Sequence, residues 1–173
     1  SRVSKGTETR AIKELTEKEI RAFVFSGCHI ASLPDLLKLI GEKGSRGNVH
    51  AIHLKHSSQT KELLDTLLEN LRESGYEKFI LFDITLDTAK YLKAKNPNLN
   101  LAPSVAHPFD IERYNNAVGG TLMSVEEVLA HPDLFSWVWL DEWGTTDKDN
   151  GTKKFYTKEI FEEIRGHGLK IAL

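Results

Sequence analysis

The chain has 173 residues, of which 40% are hydrophobic and 28% are charged, and its formal net charge is -2. This composition is typical of a globular domain with a real core, and the near-neutral charge argues against a nucleic-acid or anionic-membrane surface. The single cysteine, Cys28, excludes an internal disulfide, and we expect it to be a small buried residue rather than a nucleophile. No apolar run approaches the length of a membrane span and nothing resembles a signal peptide, so a cytoplasmic location is favoured.

The two ends of the chain are unusual. It begins without a methionine, its only methionine is Met123, and it stops on the apolar run 169–173. A strand left at a terminus exposes an unpaired sheet edge. We therefore expect a piece of a longer chain, with self-association through its open sheet edges.

The predicted elements begin with two helices. Residues 15–23 carry Thr16 and Glu19 in capping-box spacing, which indicates a helix start. Residues 32–44 place Pro34 in a first turn and glycines near the end, the usual asymmetry of a helix.

A short strand is predicted next, over residues 49–55. Alternation along a strand puts His53 and Lys55 on one face and His50 on the other. The pair of His53 and Lys55 is a candidate for a functional site; the alternative is a strand end with solvated polar side chains.

Helices and strands alternate through the rest of the chain. We predict helices over 59–75, 85–98, 124–134 and 157–168, and strands over 78–84, 99–107, 135–143 and 169–173. The first of these helices has a leucine stripe that indicates a core-facing side, formed by Leu63, Leu64, Leu67, Leu68 and Leu71. His107 and Pro108 are interpreted as part of a loop. Strands separated by helices of this length indicate parallel βαβ units.

Polar and aromatic residues follow the predicted strands, at the edge where functional sites of α/β proteins lie. Histidine and carboxylates can bind a divalent cation, and lysine can hold a phosphate as a point charge. The alternatives are that Asp83 begins a turn, that the later carboxylates are solvated, and that the tryptophans belong to the core. The residues concerned are His53, Lys55, Asp83, His107, Trp139, Asp141, Glu142 and Trp143.

Several stretches, in this order, resemble the glycerophosphodiester phosphodiesterase family, a branch of the phospholipase C-like phosphodiesterase superfamily. The "NVHAIHLKH" segment lies where that family has a strand containing a metal-binding glutamate and a lysine. The similar stretches are residues 5–23, 29–40, 48–56, 78–102 and 157–173.

The resemblance implies a partial TIM-type (β/α)8 barrel, roughly its strands 3 to 8. We expect a single α/β domain over residues 1–173 that lacks the first strands of the barrel and its final helix. The alternative is an open, doubly wound parallel sheet, which a chain of this length can complete alone.

The resemblance also implies a function: metal-assisted hydrolysis of a small phosphodiester in lipid or glycerophosphodiester metabolism. It places His53 at a metal position, and a Mg or Ca ion is the expected cofactor, although an imidazole suits Zn better. The family's catalytic histidines lie upstream of residue 1, so this chain is expected to be inactive by itself. The alternative is a non-catalytic domain that has lost the metal site and binds a ligand or partner. The expected substrate-binding residues are Lys55, Asp83, Trp139, Asp141 and Trp143.

Overall fold

A computed structural model describes residues 2–5, 8–25, 27–43, 48–118, 120–141 and 156–173. The chain divides into two compact units, residues 1–46 with 70–76, and residues 47–69 with 77–173. The predicted site residues Glu142 and Trp143 lie outside the described residues. Among the residues that are described, no helix is long and apolar enough to cross a membrane.

The first unit contains two antiparallel hairpins that the sequence analysis did not predict. β1 (Arg2–Lys5) pairs with β2 (Glu8–Ala11), and β3 (Val24–Phe25) pairs with β4 (Cys28–His29). Gly27 has a φ of 81° in the tight second hairpin, a conformation that glycine adopts without strain. Cys28 is exposed on this hairpin, so the expectation that it is buried is wrong.

The predicted helices of the first unit are present. α1 (Glu17–Arg21) begins with a capping box, in which the Thr16 N–H donates to the Glu19 carboxylate at 2.8 Å. Hydrogen bonds from Thr16 and then from Arg10 hold the pKa of Glu19 at about 2. α2 (Leu33–Lys43) has Pro34 in its first turn, as expected for a residue without an N–H to satisfy.

Parallel strands and helices alternate in the second unit. The strands are β5 (His50–His53), β6 (Phe79–Phe82), β7 (Leu101–Ala102), β8 (Ser104–Val105), β9 (Trp137–Leu140) and β10 (Lys170–Ala172). The helices are α3 (Lys61–Ser74, whose last residues belong to the first unit), α4 (Leu86–Lys95), α5 (Pro108–Val118), α6 (Val125–Leu129) and α7 (Lys158–Gly166).

In the second unit, strands that pair with each other also follow one another in the chain. β5 pairs with β6 and β6 with β7, while β8 pairs with β9 and β9 with β10, all in parallel. β7 and β8 are two parts of one strand interrupted at Pro103, whose carbonyl still accepts the Trp139 N–H at 3.0 Å. A doubly wound sheet requires the strand order to reverse, whereas a barrel adds each strand beside the previous one. The order therefore gives the predicted partial barrel, and no pairing between described strands closes it.

Alternation along the strands separates a core face from an opposite face. The core face is almost completely buried, with exposed fractions of 0 to 2% at Leu81, Leu101, Val105, Val138 and Leu140. In parallel strands, residues in register lie on the same face. The register of His53 with Phe82, of Phe82 with Ala102, and of Ser104 with Trp139 places these side chains on the opposite face.

Two sequence predictions in the second unit are wrong. His107 lies outside the helices and strands, as predicted, but Pro108 does not: it is the first residue of α5, a helix that was not predicted. Proline is favoured at this position, since the first N–H groups of a helix have no partner within the helix. Leu63 was assigned to the leucine stripe of α3 but is 51% exposed, whereas its neighbour Leu64 is 2% exposed.

These two leucines provide a test of the core. We expect Leu64→Ala to lower the free energy of unfolding by about 2–4 kcal/mol, because it removes buried methyl groups and leaves a cavity. The matched Leu63→Ala variant should change it by no more than about 0.5 kcal/mol. Urea denaturation followed by circular dichroism measures both, and equal losses would show that the face of α3 is wrongly assigned.

Candidate functional site

Functional groups meet where neighbouring parallel strands end. His53 is the last residue of β5, Asp83 directly follows β6, and Asp141 directly follows β9. Ser104 begins β8 between them and is 3% exposed. Because parallel strands bring their carboxyl ends to one edge, residues far apart in the chain form one group, which we refer to as the strand-end cluster (His53, Asp83, Ser104 and Asp141).

A short hydrogen bond joins the first two members of the cluster. His53 Nε2 lies 2.7 Å from Asp83 Oδ2, and the two side chains are 37% and 17% exposed. A carboxylate only accepts hydrogen bonds, so the Nε2–H of His53 is the donor. The Nδ1 atom of His53 has no hydrogen-bond partner in the described part of the chain.

The backbone of Asp83 explains how its carboxylate reaches His53. Regular alternation would place residue 83 on the face opposite to Phe82, which is in register with His53. Asp83 instead has a φ of 64°, in the left-handed region. Aspartate tolerates this conformation better than most residues, at a cost on the order of 1 kcal/mol. The left-handed residue breaks the alternation and brings the carboxylate onto the face of His53.

Three stacked rings run across the same face. The rings of His53 and Phe82 have centroids 4.7 Å apart and planes inclined by 20°, and those of Phe82 and Trp139 are 4.3 Å apart and inclined by 16°. The stack holds the imidazole between a neighbouring ring and the Asp83 carboxylate. The orientation of His53 is therefore determined by two contacts of different chemistry.

Asp141 has an unusual electrostatic environment. Burial, followed by the negative charge of Asp83, raises the pKa of Asp141 to about 6, while His53 and a hydrogen bond with the Ser104 hydroxyl act in the opposite direction. A carboxyl group with this pKa is partly protonated near neutral pH, so it can donate a proton or accept one.

Tyr156 holds the backbone around Asp141. Its buried hydroxyl lies 2.7 Å from the Val105 carbonyl and 3.2 Å from the Asp141 carbonyl, so its proton is shared between the ends of β8 and β9. The sequence analysis did not select Tyr156, Ser104 or Phe82. In the strand predicted over 99–107, residues 102 and 104 share one face, and this pattern was the available signal for Ser104. No local sequence pattern indicated Tyr156.

Only some of the predicted site residues lie together in the structure. The structure brings His53, Asp83, Trp139 and Asp141 together, and Trp143 lies outside the described residues. Lys55 lies beyond the end of β5 and is exposed, and its carbonyl accepts the Ser58 N–H at 2.8 Å. No hydrogen bond or ion pair joins its ammonium group to another described residue.

The described residues do not fit the Mg or Ca ion that the resemblance implies. Both ions prefer oxygen ligands, whereas residue 53 offers an imidazole whose Nε2–H already donates to Asp83. Within the described ranges, no group of three or more His, Cys, Asp or Glu residues is arranged to hold a metal ion.

Two solved structures have a similar fold. One is a protein from Galdieria sulphuraria with the provisional description of a glycerophosphodiester phosphodiesterase; its TM-score is 0.51 at 16% identity, over 94% of this chain and 67% of that chain. The other, from Silicibacter pomeroyi DSS-3, is provisionally described as a glycerophosphoryl diester phosphodiesterase, with a TM-score of 0.54 at 18% identity, over 98% of this chain and 74% of that chain. The predicted resemblance is thus confirmed at the level of the fold.

Comparison of sequences adds nothing to this result. No family model matches the chain, and no curated protein matches it. The likeness therefore concerns the fold, and the chemistry has to be argued from the side chains of the strand-end cluster.

The raised pKa of Asp141 predicts a pH-dependent contribution to stability. Between the ordinary value of 3.8 and the folded value of about 6, the folded chain binds this proton more tightly than the unfolded chain does. The stabilising contribution of Asp141 is therefore lost as the pH rises through that window. We expect Asp141→Asn to be more stable than the unchanged chain by about 1–2 kcal/mol at about pH 8, allowing for partial exposure, and not at about pH 4.

Thermal denaturation of the two chains across this pH range measures the difference. The carboxylates outside the strand-end cluster are the same in both chains, so their titration cancels in the comparison. A stability difference that is constant from about pH 4 to about pH 8 would contradict the assignment.

Proposed function

We propose that this chain belongs to a glycerophosphodiester phosphodiesterase-like protein, and that the strand-end cluster binds a small phosphodiester of lipid or glycerophosphodiester metabolism. The observation that carries the proposal is the meeting of His53, Asp83 and Asp141 at the carboxyl edge of a barrel-type sheet. This edge is where barrel enzymes place their active sites. The fold similarity to two proteins described as phosphodiesterases supports the same substrate class.

The cluster has groups that suit proton transfer. A His–Asp hydrogen bond orients the imidazole and leaves its other nitrogen available to accept a proton, as in other acid–base sites. Asp141, with a pKa of about 6, is a candidate to donate one to a leaving oxygen. We therefore assign His53 as the general base and Asp141 as the general acid of a site that needs further phosphate-neutralising groups before it can act, with Asp83 orienting His53.

The same cluster is poorly suited to neutralising a phosphate. Its two carboxylates repel an anion, and the ammonium group of Lys55 makes no contact with either of them. Binding would require Lys55 to turn toward the substrate. We therefore propose that these residues bind the phosphodiester weakly, and that the 173-residue chain by itself does not hydrolyse it.

A second candidate function is a non-catalytic domain that binds a ligand or a partner. The observation that favours it is the hydrogen bond between His53 and Asp83, which occupies the atom that a metal-binding residue 53 would use. Under this alternative, the cluster would be a structural remnant of a metal site.

A binding titration tests the proposal directly. Titrating glycerophosphocholine into the ¹⁵N-labelled chain should produce saturable amide shifts at residues 53–55, 83, 104 and 139–141. Lys55→Ala should weaken the apparent affinity about 5-fold or more, since it removes a cationic side chain that follows the end of β5. The matched control is Lys78→Ala, an exposed lysine directly before β6 at the opposite end of the strands, which should change nothing. Shifts that avoid the strand ends would overturn the assignment of the site.

Hydrolysis is tested separately with bis(p-nitrophenyl) phosphate, with and without Mg²⁺, Ca²⁺, Mn²⁺ or Zn²⁺. We expect no release of p-nitrophenol above the rate of the Asp141→Ala variant. Turnover by the unchanged chain that is abolished by Lys55→Ala would contradict the proposed inactivity and would favour the catalytic assignment.

Two further expectations from the sequence stay predictions. A cytoplasmic location is one of them. The other is self-association through strand edges, since β5 and β10 are each paired on one side among the described strands. Sedimentation velocity tests the second: a concentration-dependent increase in mass supports it, and a stable monomer contradicts it.

A further inference from the structure

One side chain outside the strand-end cluster ties together the backbone on which the cluster is built. The amide nitrogen of Gln59 donates to the Leu54 carbonyl at 3.0 Å and to the Asp83 carbonyl at 2.8 Å. Its amide oxygen accepts the Thr85 N–H at 3.1 Å. The amide is partly buried, and both of its N–H groups and its oxygen have backbone partners.

The three backbone partners lie at connected points of the fold. Leu54 follows β5, Asp83 follows β6, and Thr85 is the N-cap of α4. The hydroxyl of Thr85 accepts the Thr88 N–H. Gln59 therefore links the ends of two neighbouring strands to the start of the helix after the second strand. No regular strand pairing supplies these contacts, because all three residues lie outside the strands.

The Gln59 contact acts at a residue whose backbone is strained. Asp83 is the only described non-glycine residue with a positive φ, so its conformation has to be held by its surroundings. On one side, its own N–H donates to the Ala102 carbonyl at 3.1 Å. On the other side, its carbonyl accepts from Gln59, so both peptide groups that flank the left-handed φ and ψ are fixed.

We propose that Gln59 is a positioning residue for the strand-end cluster: its amide holds Asp83 in the left-handed conformation in which the carboxylate reaches His53. The sequence analysis assigned no role to Gln59. The proposal concerns the geometry of the site and not its ligand, so it stands or falls independently of the proposed phosphodiester function.

A double-mutant cycle tests this coupling between His53 and Gln59, which no hydrogen bond joins. His53→Phe keeps a ring to stack on Phe82 and removes the hydrogen bond to Asp83. We expect it to lower the Tm of the otherwise unchanged chain by about 3 °C. In the Gln59→Ala background, the same substitution should lower the Tm by less than half as much, because Asp83 is no longer held beside residue 53.

Asn115 provides the matched control. Its side-chain amide also bridges backbone groups, donating to the Leu122 carbonyl at 3.0 Å and accepting the Leu122 N–H at 3.2 Å, but no contact joins it to the strand-end cluster. In the Asn115→Ala background, His53→Phe should keep its full effect. Equal effects in the unchanged, Gln59→Ala and Asn115→Ala backgrounds would overturn the proposal, because they would make Gln59 merely structural.

A measurement on the unchanged chain keeps the proposal testable if Gln59→Ala does not fold. The Thr85 N–H is an N-cap amide with Gln59 Oε1 as its acceptor, so amide hydrogen exchange should show it protected. The isosteric Gln59→Glu variant keeps an acceptor for Thr85 but turns an oxygen toward the Leu54 and Asp83 carbonyls. We expect it to reduce the effect of His53→Phe as Gln59→Ala does. Rapid exchange of Thr85 in the unchanged chain, or a full effect of His53→Phe beside Gln59→Glu, would contradict the proposal.

Discussion

Parallel hydrogen bonding between strands that follow one another in the chain is the constraint on which the second unit depends. It brings the carboxyl ends of β5, β6 and β9 to one edge, and it sets which side chains share a face. Because the register is His53 opposite Phe82, the imidazole and the phenyl ring stack and do not point to different sides. A shift of one residue in any pairing would move these side chains to the core face.

The strand-end cluster behaves electrostatically as one unit. Asp83 has His53 as a hydrogen-bond donor at 2.7 Å, whereas Asp141 is partly buried and is affected by the negative charge of Asp83. Part of the rise in the pKa of Asp141 therefore depends on the conformation of a residue that follows another strand. The backbone bridges by Gln59 and Tyr156 matter for the same reason, since they fix the points from which these charged side chains project.

The fold and the chemistry of this chain give different information. Its strand order and the two solved structures of similar fold agree on a partial barrel. Residue 53, however, is a histidine where the resemblance implies a metal-binding glutamate, and its Nε2–H donates to Asp83. A barrel edge accepts many kinds of site, so the side chains and not the fold decide between catalysis and simple binding.

Local interactions explain what could be predicted from the sequence alone. A capping box connects residues three apart, so Thr16 with Glu19 correctly marked the start of α1. Alternation within one strand correctly placed His53 on a different face from His50. The ordered resemblance to a known family indicated the partial barrel, because it depends on the succession of elements along the chain. The sequence by itself therefore determined the alternating helices and strands of the second unit except α5, their order, and the edge at which functional groups gather, but not the two hairpins of the first unit.

The tertiary structure decided the remaining features, which depend on contacts distant in the chain or on backbone conformation. Leu63 and Leu64 are neighbours on one helix, and only packing shows that the first is exposed and the second buried. The partial barrel and the doubly wound sheet have the same alternating elements, so the sequence pattern cannot separate them. The strand order excludes the doubly wound sheet. The left-handed backbone of Asp83 overrides the alternation on which the sequence analysis relied. It is stabilised by Ala102 and Gln59, which reach it from the next strand and from the preceding loop, so no local pattern contains it.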